Sequence, residues 1–197
     1  MFFRSEFLYK SYIYTLSVKY KIRDQSKLYF ISFAVVYWLD VFIRNEYKDI
    51  LVDNLKYCQE KKGLEIYAWC IMTSHVHLII GTNGENMEDI LRDFKSFTSK
   101  CLKKAITENP VESRKEWLLW MMQRAGNKNS NNDSFQFWQQ DNHPIELWDN
   151  YMMEQKLDYT HNNPVVAGIV DEPMHYLYSS ARDYAGVKGL IDVKLIE

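Results

Sequence analysis

The spacing of apolar and polar positions predicts a chain that mixes strands and helices. Residues 28–39 and 64–72 are rich in Tyr, Phe, Val and Ile, which predicts strands, and a third strand is predicted over residues 75–81. Apolar side chains recur every three or four residues over 45–62 and 87–107, which predicts two helices. The first half of the chain therefore reads as strand, helix, two strands and helix.

The second half is less regular. Residues 111–123 predict a short helical insertion, residues 127–133 a polar, mobile loop, and residues 135–140 a short strand. A last helix over residues 149–162 is predicted to end at Asn162-Asn163-Pro164, because a residue before proline is pushed out of the α region. The full order, β-α-β-β-α-(insertion)-β-α, predicts an α+β fold: a ferredoxin-like antiparallel sheet with helices packed on one face.

Composition narrows the class of protein. One domain is expected for 197 residues, and 47% hydrophobic content is ample for a core. We find no apolar run of the roughly 18 residues that a membrane span needs and no signal-peptide pattern. The three cysteines show no CxxC spacing, which favours a reducing compartment, so we expect a cytoplasmic protein with no membrane partner. The net charge of −2 argues mildly against nucleic-acid binding, although a local basic stripe matters more than the sum.

Two histidines, His75 and His77, flank one apolar residue within the third predicted strand. Side chains alternate between the faces of a strand, so both imidazoles point to one side and Val76 points to the other. Two adjacent imidazoles form half of a divalent-metal site. The alternative is a pair of ordinary histidines, because so short a motif also arises by chance.

The last predicted helix carries Tyr159 near its end. If the final turn reaches Asn163, the two side chains lie four residues apart on one face and present a phenol beside an amide oxygen. The alternative is a packed tyrosine followed by a C-terminal cap.

Taken together, these segments resemble the single-tyrosine HUH transposases, most closely the branch associated with repetitive extragenic palindromes (REP). The order and spacing of several short motifs carry the resemblance: Tyr29-Phe30-Ile31-Ser32-Phe33, His75-Val76-His77, Phe137-Trp138-Gln139-Gln140, Tyr159 four residues before Asn163-Pro164, Asn163-Pro164-Val165-Val166-Ala167-Gly168, and Tyr178-Ser179-Ser180-Ala181. Two departures are Thr73-Ser74 before the first histidine and Val166 where many members carry Lys or Arg.

The resemblance covers about residues 27–186, which we expect to form the transposase domain. Residues 1–26 are then an N-terminal extension and residues 187–197 a C-terminal tail. The family includes dimers and monomers, and a homodimer and a monomer both remain open for this chain.

The resemblance implies a metal-dependent transposase that cleaves and rejoins single-stranded DNA next to hairpins. It implies that His75, His77 and the side-chain oxygen of Asn163 hold Mg²⁺ or Mn²⁺, with positions left for the phosphate. Tyr159 would attack phosphorus and form a covalent 5′-phosphotyrosine, which retains the ester energy for rejoining. His161 lies two residues further on, so we expect it to face away from Tyr159, at the surface or on DNA.

Seven residues are candidates for DNA contact: Arg92, Lys95, Lys100, Lys103, Lys104, Trp138 and Gln139. The basic residues would contact phosphates beside the metal, Trp138 would stack on a base, and Gln139 would read a base edge. The alternatives are a solvated helix face and a tryptophan in the core. Packing of the insertion or a dimer contact explains Trp117 and Trp120 better than a cofactor-binding motif does.

Two other functions use the same residues. A domesticated relative would bind palindromic or hairpin DNA without cleaving it. The acidic net charge and Val166 favour weaker or narrower DNA binding. An unrelated metallohydrolase would use the histidine pair with water as nucleophile, and its activity would survive Tyr159→Phe. The presence of all four residues, His75, His77, Tyr159 and Asn163, favours the transposase.

Overall fold

A computed structural model of the protein describes residues 22–129, 134–140 and 142–196. These residues form a four-stranded antiparallel sheet in the order β2-β3-β1-β4. The strands are β1 (Tyr29–Ala34), β2 (Leu64–Ile71), β3 (His75–Thr82) and β4 (Ile145–Glu146). The helices are α1 (Asn45–Lys62), α2 (Met87–Glu108), α3 (Lys115–Asn127), α4 (Asn150–Val166) and the short α5 (Ala181–Tyr184). The predicted α+β class with an antiparallel sheet is confirmed.

Both faces of the sheet are buried, and different helices cover them. On one face, Phe33 and Leu78 join the larger core together with side chains of α1, α2 and α3. On the other face, Phe30 and Ile79 form a smaller cluster, against which Leu157 of α4 packs. The expectation that all helices share one face therefore holds for α1 and α2 but not for α4. The reason is that Phe30 of β1 and Ile79 of β3 give the second face an apolar patch of its own, which needs a cover.

Local signals placed α1 and α2 accurately. The predicted helix 45–62 matches α1, which ends at Gly63 in the left-handed conformation (φ 73°), where a side chain would be strained. The predicted helix 87–107 extends by one residue to the end of α2. The side chain of Asn86 caps the start of α2 by accepting hydrogen bonds from the backbone N–H groups of Glu88 and Asp89.

Three predicted elements differ in the structure. The first predicted strand, 28–39, stops at Ala34, and two short 3₁₀ turns follow at Val36–Trp38 and Val41–Ile43. Residues 135–140 do not form a strand; they contribute one isolated bridge, and β4 takes the place beside β1. The helical insertion is present, but α3 begins and ends four residues later than the predicted 111–123.

The backbone at the end of β1 explains the first two differences. Val36 N–H donates to the carbonyl of Phe137 at 2.8 Å, and Gln139 N–H donates to the carbonyl of Ala34 at 2.8 Å. The segment 135–140 thus satisfies the backbone beyond β1 as a loop, because Phe137 and Trp138 are both drawn into the core and cannot alternate faces.

Helix α4 continues through Pro164 to Val166, beyond its predicted end. Pro164 cannot donate to the carbonyl of Thr160, and the helix ends within one turn after it. The end is set by Gly168 (φ 69°), where the N–H groups of Gly168 and Ile169 donate to the carbonyls of Val165 and Pro164 in a Schellman arrangement. Asn163 consequently lies inside the helix.

Two predicted segments fall largely outside the part of the chain that the structure describes: most of the N-terminal extension 1–26, and residues 130–133 of the predicted loop. Residues 187–196 of the predicted tail return to the sheet edge, where Lys194 N–H donates to the carbonyl of Ile66 at 2.9 Å. Across the described residues, we find no helix with the length and apolar character needed to cross a bilayer.

Candidate active site

Strand β3 and helix α4 bring four predicted residues together on one face of the sheet. The ring centroids of His75 and His77 are 4.7 Å apart, as expected for neighbours on the same face of a strand. The ring of Tyr159 is 5.0 Å from that of His77, and the side chain of Asn163 hydrogen-bonds with His75. The helical turn from Tyr159 to Asn163 therefore runs along the histidine pair.

Apolar contacts hold α4 in this position. Met152, Met153 and Leu157 pack against the cluster formed around Phe30 and Ile79. These contacts fix the side of α4 that faces the sheet, so the side chains one turn further along meet the histidines.

Tyr159 itself lies at the edge of the cluster. Its ring meets the ring of Phe30 edge-on at 5.9 Å, and 38% of the residue remains exposed. A phenol in this position is anchored by its ring and can still be reached from solvent.

His77 carries the clearest sign of a ligand site. Only 3% of this residue is exposed, and its ring stacks on Phe30 at 5.6 Å. Neither Nδ1 nor Nε2 of His77 has a hydrogen-bond partner among the residues that the structure describes. Burying two polar ring atoms without partners costs free energy, which a bound ion or substrate would recover.

Both histidines are neutral at neutral pH. Burial lowers the pKa of His77 to about 3, and the positive charges of His75 and Lys156 act in the same direction. Burial also lowers the pKa of His75 to about 4, against the opposing effect of the hydrogen bond with Asn163. Neutral imidazole is the form that coordinates metal ions.

The donor set fits a divalent ion with an open coordination sphere. Within the described part of the chain, no three His, Cys, Asp or Glu side chains cluster closely enough to hold a metal. Two imidazoles and the amide oxygen of Asn163 are instead at hand, and such a set leaves several positions for phosphate oxygens and water.

Two residues at this site were not predicted from the sequence. Lys156 lies one turn before Tyr159, with its Nζ 4.9 Å from the ring centroid of Phe30 and 5.6 Å from that of Tyr159. Burial lowers the pKa of Lys156. Trp38 meets His75 edge-on, with ring centroids 5.3 Å apart. Lys156 could have been found from its i−3 spacing to Tyr159, whereas Trp38 gave no signal because it lay in a predicted strand.

Two side chains of the segment 137–140, those of Phe137 and Trp138, are buried in the core. Trp138 is 5% exposed, and its Nε1 donates to the hydroxyl of Thr98 at 3.0 Å. Its ring lies 4.9 Å from that of Phe33, so the indole is not available to stack on a base. Gln139 is tied to the end of β1 by its side-chain donation to the carbonyl of Val35 at 3.3 Å. For Trp138 the alternative of core packing is the one observed.

The basic residues of α2 are not beside the histidines, because α2 covers the other face of the sheet. Lys95 has a structural role, donating to the carbonyl of Gln139 at 2.9 Å and to Asn142 Oδ1 at 2.8 Å. Arg92 pairs with Asp89 and Asp93 on its own helix.

The remaining three basic residues of α2 are exposed: Lys100, Lys103 and Lys104. The Nζ of Lys103 lies 4.4 Å from the ring centroid of Phe135, and the Nζ of Lys104 lies 4.0 Å from Oε1 of Glu108. These three lysines are the ones that could meet DNA at a distance from the histidines.

His161 faces away from Tyr159, as expected, but it is buried rather than at the surface. Its Nε2 lies 2.8 Å from the hydroxyl oxygen of Ser180, and its ring packs edge-on against Tyr184. The C-terminal segment covers this side of α4, which the helical pattern alone does not reveal. His161 is therefore a docking residue for that segment.

Comparison with known proteins adds a family and a fold. The profile of the family described as IS200-like transposase matches residues 28–155. The matched region includes His75 and His77 and ends before Tyr159 and Asn163. No curated protein sequence matches the chain.

Among solved structures, the chain is similar to a REP-associated tyrosine transposase bound to a REP hairpin, with a TM-score of 0.61 and 15% identity over 92% of this chain and 94% of that one. A putative transposase from Deinococcus radiodurans R1 gives a TM-score of 0.41 and 18% identity over 73% of this chain and 95% of that one. The first similarity shows a shared fold, and the second is too weak to add to it.

Proposed function

The chain belongs to the IS200-like transposase family, and on that premise we propose that it cuts and rejoins single-stranded DNA beside hairpins, with Tyr159 as the nucleophile. The observation that carries the proposal is the distance of 5.0 Å between the rings of Tyr159 and His77, on the same face as His75 and Asn163. A phenol beside two unprotonated imidazoles is suited to attack on a phosphodiester.

The proposed step exchanges one phosphate ester for another. The phenol oxygen of Tyr159 bonds to phosphorus while the bond from phosphorus to the 3′-oxygen breaks. The phenol loses a proton, and the departing strand gains one as its 3′-hydroxyl. Because the ester is retained on the protein, the 3′-hydroxyl of another strand can reverse the step and join there.

The family as a whole implies a divalent metal, and we propose that His75, His77 and Asn163 hold Mg²⁺ or Mn²⁺ in this chain. The bound ion would neutralise charge on the non-bridging phosphate oxygens. The unpartnered nitrogens of His77 support the assignment. The hydrogen bond between His75 and Asn163 keeps these two side chains adjacent, and a bound ion would replace that bond.

Lys156 adds a fixed positive charge next to the nucleophile. No carboxylate in the described part of the chain forms an ion pair with it. A half-buried ammonium without a counter-ion attracts an anion, and its field is stronger there than in water. We assign to Lys156 the binding of the phosphate that Tyr159 attacks.

The proposed substrate is single-stranded DNA with an adjacent hairpin. The solved transposase that shares the fold is bound to a REP hairpin, which supports a hairpin for this chain. Exposed Lys100, Lys103 and Lys104 would contact DNA phosphates away from the cut, whereas Trp138 is not assigned to DNA.

The test is formation of a protein–DNA adduct. The protein is incubated with a labelled library of single-stranded hairpin oligonucleotides and Mn²⁺, and the products are separated on a denaturing gel. We expect an adduct with the wild type and with Tyr151→Phe. This variant is the matched control, because it removes the hydroxyl of another exposed tyrosine that lies earlier on α4. The adduct should be lost in Tyr159→Phe and His77→Ala.

The other outcomes identify the rival functions. An adduct that persists in Tyr159→Phe contradicts the assigned nucleophile. Hairpin binding without an adduct under any metal points to a domesticated binder. Metal-dependent hydrolysis that survives Tyr159→Phe points to a metallohydrolase.

One chain contains the whole proposed site, since Tyr159 lies beside His77 of the same chain. We therefore propose cleavage within one protomer, whether or not two protomers associate. Mixing Tyr159→Phe with His77→Ala checks this, because each variant lacks a different half of the site. No adduct should appear in the mixture; an adduct would mean that the tyrosine reaches a partner's histidines.

A further inference from the structure

The turn after β1 has an unusual backbone. Tyr37 (φ 56°) and Trp38 (φ 57°) are consecutive residues in the left-handed region, which bulky side chains rarely adopt. Their neighbours Val36 and Leu39 are buried, and Trp38 N–H donates to the carbonyl of Val35 at 3.0 Å. Such strain persists only where the surroundings impose it, and it concentrates at functional sites.

The consequence of this backbone is that an indole ring points outward beside the candidate site. Trp38 is 58% exposed, in contrast to the buried Trp138. Among the aromatic side chains that the structure describes, only His75 contacts the ring of Trp38. The contact is edge-on, with the two ring centroids 5.3 Å apart. Most of the indole surface is thus left open next to a site for DNA cleavage.

We propose that Trp38 is a stacking platform for the nucleobase on the 5′ side of the cut, the base of the nucleotide that leaves with the 3′-hydroxyl. The inference rests on the function proposed above. Its ligand class is any nucleobase of single-stranded DNA, because every base offers a π-face to an aromatic ring. Trp38 would add affinity and orient the leaving nucleotide without selecting a sequence.

The position follows from the order of the rings along β3. Tyr159 contacts His77, His77 contacts His75, and His75 contacts Trp38. The histidine pair therefore lies between the nucleophile and the indole. In an in-line displacement the leaving oxygen departs on the side of phosphorus opposite to the nucleophile, and the proposal places that side toward Trp38.

Binding experiments isolate the stack from the chemistry. The cut position is first mapped on a hairpin oligonucleotide that forms an adduct with the wild type. Affinity for this oligonucleotide is then measured by fluorescence anisotropy in the Tyr159→Phe protein, alone and combined with Trp38→Ala, Trp38→Phe or Trp120→Ala. Trp120 is a matched control because it is 53% exposed and lies on α3, across the sheet from the histidines.

We expect Trp38→Ala to raise Kd by roughly 5- to 150-fold, the range for one stacked base, and Trp38→Phe to raise it less. Trp120→Ala should leave Kd unchanged. An oligonucleotide that lacks the base on the 5′ side of the cut should bind the Tyr159→Phe parent with a Kd raised by the same factor as Trp38→Ala raises it. Removing this base should not raise the Kd of the protein that also carries Trp38→Ala.

Two results would overturn the proposal. One is that removal of the base raises Kd by the same factor in the Tyr159→Phe parent and in the protein that also carries Trp38→Ala. The base would then not act through the indole. The other is a coupling of Trp38 to the base on the 3′ side of the cut, which would contradict the in-line placement. Thermal melting of each variant checks that the fold is intact.

Failure of the proposed function gives a different pattern. If no oligonucleotide forms an adduct, nucleophilic attack by Tyr159 fails, but stacking is still testable with an oligothymidylate of about ten nucleotides, within the length one single-strand site covers. Weaker binding in Trp38→Ala than in Trp120→Ala would support the platform. Equal binding by the two variants would overturn it.

Discussion

The core beneath α1 and α2 and the candidate site beneath α4 share the same strands, but their polar side chains differ in how well their hydrogen bonds are satisfied. On the core side, the indole of Trp138 is enclosed by aromatic rings and its Nε1 bonds to Thr98 at 3.0 Å. On the side of the candidate site, both ring nitrogens of His77 are buried without a partner among the described residues. Within the same part of the chain, Trp69 Nε1 on the core side also lacks a partner, but the candidate site gathers two unsatisfied nitrogens on one ring, beside a half-buried lysine and a partly exposed tyrosine.

The difference separates stability from function. The core side gains free energy from each contact, while the proposed site forgoes some stability because two polar atoms of His77 are buried without partners among the described residues. Four experiments test that division, and the one with the greatest predicted change comes first.

Trp138→Ala should lower the free energy of unfolding by about 3–5 kcal/mol, because it empties a site lined by Phe33 and Phe42 and leaves the Thr98 hydroxyl without its donor. Chemical denaturation measures the change. Trp120→Ala, at an exposed tryptophan, is the control and should stay within about 0.5 kcal/mol of the wild type. A change below about 1 kcal/mol for Trp138→Ala would contradict the core assignment.

Lys156→Gln should slow adduct formation by about 10- to 100-fold, because it removes a charge beside the attacked phosphate. The free energy of unfolding should not fall, since the half-buried ammonium has little to offset its desolvation. Single-turnover rates measure the effect, with Lys56→Gln on the exposed side of α1 as control. Unchanged rates would remove Lys156 from the site.

His77→Leu should raise the free energy of unfolding by about 1 kcal/mol, because leucine fills the space without two unpaired nitrogens. The same change should abolish Mn²⁺ binding in calorimetry. Stability and metal binding would thus move in opposite directions at one residue. A loss of several kcal/mol would instead mean that His77 has a structural role.

The exposed lysines of α2 give the smallest effect. Replacing Lys100, Lys103 and Lys104 with Gln should flatten the dependence of log Kd on log salt by about 0.7 for each DNA phosphate that the protein no longer neutralises. Anisotropy titrations at several salt concentrations measure the slope. Lys56 and Lys61 on α1, replaced together, are the control. An unchanged slope would favour the alternative of a solvated helix face.

Sequence patterns were accurate wherever a few neighbouring residues decide the structure. The limits of α1 follow from its apolar spacing and from Gly63, and the shared orientation of His75 and His77 follows from the two-residue period of a strand. The pairing of Tyr159 with Asn163 on one helical face follows in the same way once the helix is long enough.

Patterns failed where distant segments compete for the same backbone or the same space. Residues 135–140 look like a strand, but the side chains of Phe137 and Trp138 are both buried in the core. His161 was expected at the surface and is buried because the C-terminal segment returns to cover it with Ser180. Neither outcome is visible within a window of ten or so residues.

Local sequence patterns are enough to assign the α+β class, the main helices, the strand that aligns two imidazoles, and the resemblance to a transposase family. Long-range packing alone places α4 on the opposite face from α1 and α2, Trp138 in the core, and Lys156 and Trp38 beside the histidine pair. The physical reason is range: periodicity and capping act over one or two turns, whereas the partner of each face is chosen by burial across the whole chain.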